Sequence, residues 1–291
     1  MSNHFKISSG KVTIKAEAGG WDISNALVVN DESVVGTGFF PAGTSFPMDV
    51  FFNPDGLQFF IVDYGFLGAN QIDAWSLSTA WDISTLSYSV SLTITDVEST
   101  PTGVFFKPDG SKMYVCGKEN NRINQFSLST PWNILTASLE DYYAVDSNPN
   151  SMYFNSDGSK VYVLRGTIYQ YSLSTPWDIT TTSYDDKSFS PLDQEASPSG
   201  VFLSDDGSKL YVTGFAHSEE GNDLVHQYSL STPYDISTAS YNNIFFSATN
   251  QIGSPQDIFL KPDGFTIYVV GPASVAQYSL RPSGYSGLII K

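Results

Sequence analysis

Three aspartates stand where carboxylates could converge. Asp49 and Asp257 each directly precede an apolar run, Val50-Phe51-Phe52 and Ile258-Phe259-Leu260. Asp63 closes another run, Phe59-Phe60-Ile61-Val62. Oxygen-only donors of this kind suit a hard cation, so Asp49, Asp63 and Asp257 are the candidate ligands of a structural Ca²⁺. The competing reading is that each carboxylate caps a backbone turn, and the residue types alone leave both open.

Other chemistry is thinly represented. His4, His217 and His226 show no metal-ligand spacing. His226 shares a repeat slot with Asp73, Asn124, Tyr169 and Ala276, which predicts a half-exposed strand residue. Cys116 stands where other units carry Val62, Leu164, Thr213 and Val270, so it reads as a packed thiol. As the single cysteine it forms no intrachain disulfide. There is no phosphate-binding glycine motif and no nucleophile elbow. The expectation is a protein that is not an enzyme.

Charge narrows the partners. Thirty acidic residues against 14 basic ones give a formal charge of −16, which repels nucleic-acid backbones and anionic membrane surfaces. No stretch approaches the ~20 apolar residues of a spanning helix, so membrane insertion is not expected. Met1 to Lys6 lacks the apolar region of a signal peptide, which predicts synthesis in the cytoplasm.

The elements that must position these residues are repeats. Asp-Gly recurs in equivalent context at Asp55, Asp109, Asp157, Asp206 and Asp263, about 50 residues apart. Each copy is preceded by a proline and an apolar run and followed by a second run, such as Met113-Tyr114-Val115 or Val161-Tyr162-Val163. Two β-type runs across Asp-Gly make a hairpin, since both residues tolerate positive φ. A third run carries aromatic-Ser-Leu, as in Tyr171-Ser172-Leu173. A bend with a bulky ring follows in four units: Trp81-Asp82-Ile83, Trp132-Asn133-Ile134, Trp177-Asp178-Ile179 and Tyr234-Asp235-Ile236. With a fourth, variable strand, each unit matches the length of a propeller blade.

The fold class is therefore all-β, a propeller of five four-stranded blades starting near residues 46, 101, 149, 198 and 255, with a degenerate sixth blade as the alternative. The fifth unit lacks its Trp-Asp-Ile element, and the missing copy is Trp21-Asp22-Ile23. Residues 1–45 are thus expected to supply closing strands, with the segment near Ala26 to Val29 completing the last blade. Ring closure makes units one and five neighbours. It places Asp49 and Asp257 together by the axis, in a repeat column whose other members are Gly103, Ser151 and Gly200.

Asp157-Gly158-Ser159-Lys160-Val161-Tyr162-Val163 and Tyr211-Val212-Thr213-Gly214 resemble the YVTN-type repeat of lactonase-like β-propellers. The resemblance is strongest for the inner two strands of each unit, and the Trp-Asp-Ile bend departs from it. It implies either a binding protein of a surface or bacteriophage virion (tail or capsid decoration) or a metal-dependent lactonase-like hydrolase with acidic channel ligands. A carbohydrate-binding propeller is the third alternative.

In an up-and-down blade the Asp-Gly turns and Trp-Asp-Ile bends share one face. That face is nearly constant, so its rings are expected to pack between blades while the adjacent Asp or Asn caps a turn. The opposite face varies. Its candidate partner-binding residues are His217, Glu219, Glu220 and Asp223 in unit four and Glu119, Asn120 and Arg122 in unit two. The connections holding Asp96-Val97-Glu98 and Asp193-Gln194-Glu195 are expected to be solvated polar loops. The partner is either a protein within a larger assembly or a surface glycan.

Overall fold

Each Asp-Gly hairpin closes the same way. In the first, Gly56 N–H donates to Asn53 O (2.9 Å) and Leu57 N–H to Asp55 Oδ1 (2.8 Å). Only the glycine takes positive φ, +72° at Gly56 and Gly110. The aspartate instead caps the turn with its side chain, as Asp109, Asp157, Asp206 and Asp263 also do.

The computed structural model describes residues 21–28, 46–65, 70–215, 224–272 and 274–281. These form five four-stranded antiparallel sheets. Blade 1 comprises Pro47–Phe52, Gln58–Asp63, Gln71–Leu77 and Leu86–Thr93; blade 2, Pro101–Phe106, Lys112–Gly117, Arg122–Leu128 and Ala137–Ala144. Blade 3 comprises Ser151–Phe154, Lys160–Arg165, Thr167–Leu173 and Thr182–Phe189; blade 4, Pro198–Leu203, Lys209–Gly214, Leu224–Leu230 and Ala239–Ser247. Blade 5 comprises Asp257–Leu260, Thr266–Gly271 and Ser274–Ser279, and its outer strand is Leu27–Val28. Leu27 pairs with Ser279 and Val28 with Tyr278, so the N-terminal segment completes the last blade as the repeat count predicts. The first strands touch in a closed cycle, blade 5 returning to blade 1. The alternative of six blades is not observed among the described residues.

The bulky ring of each bend occupies left-handed backbone, with φ of 66° at Trp81, 65° at Trp132, 64° at Trp177 and 60° at Tyr234. That conformation is strained for a large residue. It is held because Trp81 N–H donates to Gly56 O (2.9 Å) while its indole lies flat over Gly56. A Cβ on Gly56 would fall 2.3 Å from the indole, so the turn needs glycine for space as well as for φ. Asp82 Oδ1 then accepts from Ser84 N–H (3.0 Å), capping a single 3₁₀ turn over Ile83–Thr85.

Neighbouring blades are stitched by two hydrogen bonds of fixed type, buried or partly buried. The Tyr114 hydroxyl of blade 2 donates to Trp177 O of blade 3 (2.6 Å), and Ile179 N–H donates to Gln125 Oε1 (2.9 Å). The same pair joins blade 3 to 4 through Tyr162 and Gln170, and blade 5 to 1 through Tyr268 and Gln277. Between blades 4 and 5 it is Tyr211 to Trp21 O and Gln227 to Ile23 N–H, so the N-terminal clasp is locked by the repeat's own bonds.

Candidate functional site

Residues on the first strands face the axis at every second position, so the column beginning Asp49 and the column beginning Phe51 form two stacked layers. The lower layer is a closed aromatic ring. Phe51, Phe105, Tyr153, Phe202 and Phe259 meet in sequence, with centroids 5.0, 5.5, 4.8, 5.6 and 5.6 Å apart around the cycle. Edge-to-face and tilted contacts at these distances are favourable. The rings meet across the axis, and the pocket they line together with Asp49 and Asp257 holds about 20 Å³, the space of a single water.

The layer above is polar: Asp49, Gly103, Ser151, Gly200 and Asp257. Asp49 Oδ1 accepts from Val50 N–H (2.5 Å) and Oδ2 from Val104 N–H of blade 2 (2.6 Å). Asp257 Oδ1 accepts from Ile258 N–H (2.7 Å), and its carboxyl lies against those of Asp49 and the Ser151 hydroxyl. The glycines provide clearance, since a Cβ on Gly200 would sit 2.5 Å from Asp257 Oδ1. Both carboxyls are fully buried. Burial pushes Asp49 up to about 7, opposed by its N–H donors. Burial, and then the charge of Asp49, drives Asp257 well above the usual carboxylate range. Two buried acids facing each other cannot both ionise cheaply, so ionisation of one opposes ionisation of the other.

The structure brings together two of the three expected calcium ligands. Asp63 lies elsewhere, with Oδ1 accepting from Phe46 N–H (2.9 Å). The comparison between blades explains it. Glu98 Oε1 accepts from Thr100 N–H and Glu195 Oε1 from Ser197 N–H, both at 2.9 Å. Thr100, Ser197 and Phe46 each directly precede the proline that opens a blade. Each glutamate folds over the glycine, Gly117 or Gly214, that aligns with Asp63. Blade 1 supplies from its strand the carboxylate that blades 2 and 4 receive from a connection. Among the described residues no three His, Cys, Asp or Glu side chains cluster as metal ligands.

The same bonds correct the reading of the variable face. Glu98 and Glu195 are wholly buried, not solvated loop residues. Asn120 Nδ2 (2.7 Å) and Arg122 (3.0 Å) both donate to Val97 O, and the Arg122 guanidinium covers the Tyr142 ring at 4.7 Å. They shape the blade 1–2 connection. Glu119 is exposed and its backbone N–H reaches Glu98 Oε1 at 3.3 Å. His217, Glu219, Glu220 and Asp223 lie outside the described residues.

His226 is also buried rather than half-exposed, between Tyr241 and Phe245 of its own outer strand. Burial lowers its pKa to about 4. Cys116 is buried beside Thr102, and burial pushes its thiol far above the ordinary range, as a packed cysteine requires.

No protein-family model matches the chain, and no curated protein matches it in sequence. Its likeness is to solved structures, in fold. A functionally unknown protein from Desulfotomaculum acetoxidans overlaps 80% of this chain at TM-score 0.47 and 14% identity. The Kuenenia stuttgartiensis hydrazine synthase overlaps 81% at 0.47 and 18%. A periplasmic gluconolactonase of Pseudomonas aeruginosa overlaps 81% at 0.49 and 12%, covering 67% of that protein. The chain spans 64% and 58% of the first two structures.

Proposed function

We propose that this chain is a non-enzymatic recognition module, carried on a virion or other surface assembly, that presents its variable face to a partner. The observation supporting it is the closed aromatic ring. The rings fill the axis directly beneath the Asp49 and Asp257 carboxyls, which supports a packed core at that level rather than an open passage. The acids and amides that looked available for chemistry hold blade to blade or cap connections. Such a frame is rigid where it repeats, leaving variation to the loops on one face.

The constant face does not favour sugar stacking. Trp81 has Gly56 under one side of its indole and Phe52 and Phe259 nearby at 5.2 and 6.3 Å. These contacts engage one side of the half-buried indole in packing.

The test pairs turnover with binding. Simple γ- and δ-lactones are incubated with the chain, with and without Ca²⁺, and a biotinylated copy is titrated onto intact cells and a glycan array. The reading expects no turnover above buffer. It expects saturable cell binding that is lost when Glu119 and residues 217–223 are replaced by glycine and serine. Lactone turnover abolished by Asp49→Asn would overturn it, and saturable binding to one glycan class would replace the protein partner with a carbohydrate.

A further inference from the structure

We propose that the ring carries one built-in opening seam, between blades 1 and 2. The paired Tyr and Gln that stitch the other four junctions are cross-strand partners in blades 2 to 5: Tyr114 with Gln125, Tyr162 with Gln170, Tyr211 with Gln227 and Tyr268 with Gln277. In blade 1 the same pair is Phe60 with Ala74. Phe60 has no hydroxyl for Trp132 O, and Ala74 has no oxygen for Ile134 N–H. Ile134 is completely buried, and no described residue accepts from its N–H.

A third stitch is missing here and also between blades 5 and 1, where Gln256 Nε2 donates back to Ser254 O (3.0 Å). Thr102 donates to Pro149 O (2.7 Å), Asn150 to Pro198 O (2.9 Å) and Ser199 to Pro255 O (2.9 Å), each reaching the next blade. The equivalent residue of blade 1 is Met48, which cannot donate. Apolar packing exists at every junction, and here it is Phe51 and Phe60 against Phe105, Phe106 and Trp132. What distinguishes this junction is the loss of both the Tyr and the Gln bond; Val104 N–H still donates to Asp49 Oδ2 across it, and Asn70 Nδ2 holds Ser99 O of the connection (2.8 Å). Blade 1 keeps both stitches to blade 5, through Tyr268 (2.6 Å) and Gln277 (3.4 Å). Opening therefore separates blade 1 from blade 2 while blades 5 and 1 move together, with residues 94–100 as the tether.

The repeat supplies its own control. Val62 and Cys116 occupy the same position in the second strands of blades 1 and 2, and both are completely buried. Cys116 belongs to one buried cluster with Met152 and Val163 of blade 3, so its labelling by a thiol reagent reports opening of the blade 2–3 junction. Val62→Cys in a Cys116→Val background reports the blade 1–2 junction from the equivalent site. Two hydrogen bonds of ordinary net strength correspond to an opening constant larger by about tenfold or more. The thiol at position 62 should therefore label at least about tenfold faster than Cys116 under native conditions. Adding Phe60→Tyr and Ala74→Gln should slow it towards the Cys116 rate. Should that variant not fold, Tyr114→Phe with Gln125→Ala in the otherwise unaltered chain should accelerate Cys116. Equal or slower labelling at position 62, or rates indifferent to adding or removing the stitches, would overturn the proposal.

Discussion

Asp257→Asn should stabilise the protein at alkaline pH and leave it nearly unchanged in acid. In the unfolded chain both axial carboxyls release their protons near pH 4. In the folded chain burial raises Asp49 to about 7 and holds Asp257 well above the usual carboxylate range. Folding thus takes up protons in that window. The stability these groups contribute is full below about pH 4 and is lost as pH rises through about 7. Moving one carboxyl from 3.8 to about 7 corresponds to roughly 4 kcal/mol. An asparagine at 257 keeps an oxygen for Ile258 N–H and turns an amide donor to Asp49, so no proton need be bound. Urea unfolding followed by tryptophan fluorescence, at pH 4.5 to 8.5, gives the difference between variant and parent at each pH. That difference should grow by about 2–4 kcal/mol across the range. The comparison cancels His226, which acts in the opposite sense. Its pKa is lowered to about 4, so its contribution is lost as pH falls from about 6.5 towards 4. A difference that is flat with pH, or that makes the variant less stable at pH 8.5, refutes this account of the axial acids.

Three further outcomes are expected. Gly110→Ala should cost about 2–4 kcal/mol in urea unfolding. It adds a Cβ at φ +72° that falls 2.4 Å from the Trp132 indole; a cost under about 0.5 kcal/mol would contradict the packing described. The imidazole of His226 should show no NMR inflection above pH 5, because burial holds it neutral; a midpoint near 6.5 would place it in solvent. Chelator and added Ca²⁺ should both leave Tm unchanged at pH 6, where the axial pair carries its proton, and a calcium-dependent rise would restore the calcium centre.

Much of the ring was legible because repetition does the alignment. The displaced Trp21-Asp22-Ile23 predicted that the N-terminal segment completes blade 5, and strand pairing of Leu27 with Ser279 follows. Closure then predicted that Asp49 and Asp257 meet, and they do. Asp63 stands apart from that pair and accepts from the Phe46 N–H, a backbone partner that leaves no mark in residue types. The available signal was the column itself. Gly117 and Gly214 occur with Glu98 and Glu195 just upstream, whereas Asp63 has no acidic residue in the preceding connection from Phe39 to Phe46. His226 was misplaced for a different reason. Its slot is polar in blades 1 and 2, and its burial comes from Tyr241 and Phe245 on a strand whose sequence varies. The Phe60 and Ala74 departures are visible in the aligned runs, but their meaning depends on Tyr and Gln reaching the next blade. Strand patterns do not show that reach.

Removal of residues 1–28 tests ring closure most directly. The truncated chain loses Leu27–Val28 from the edge of blade 5, the Trp21 carbonyl that accepts from Tyr211 and the Ile23 N–H that donates to Gln227. Thermal unfolding should lose its single cooperative transition, and a peptide covering the removed segment should restore it in trans. A truncated chain that melts cooperatively within a few degrees of the full one would contradict the closed five-bladed ring.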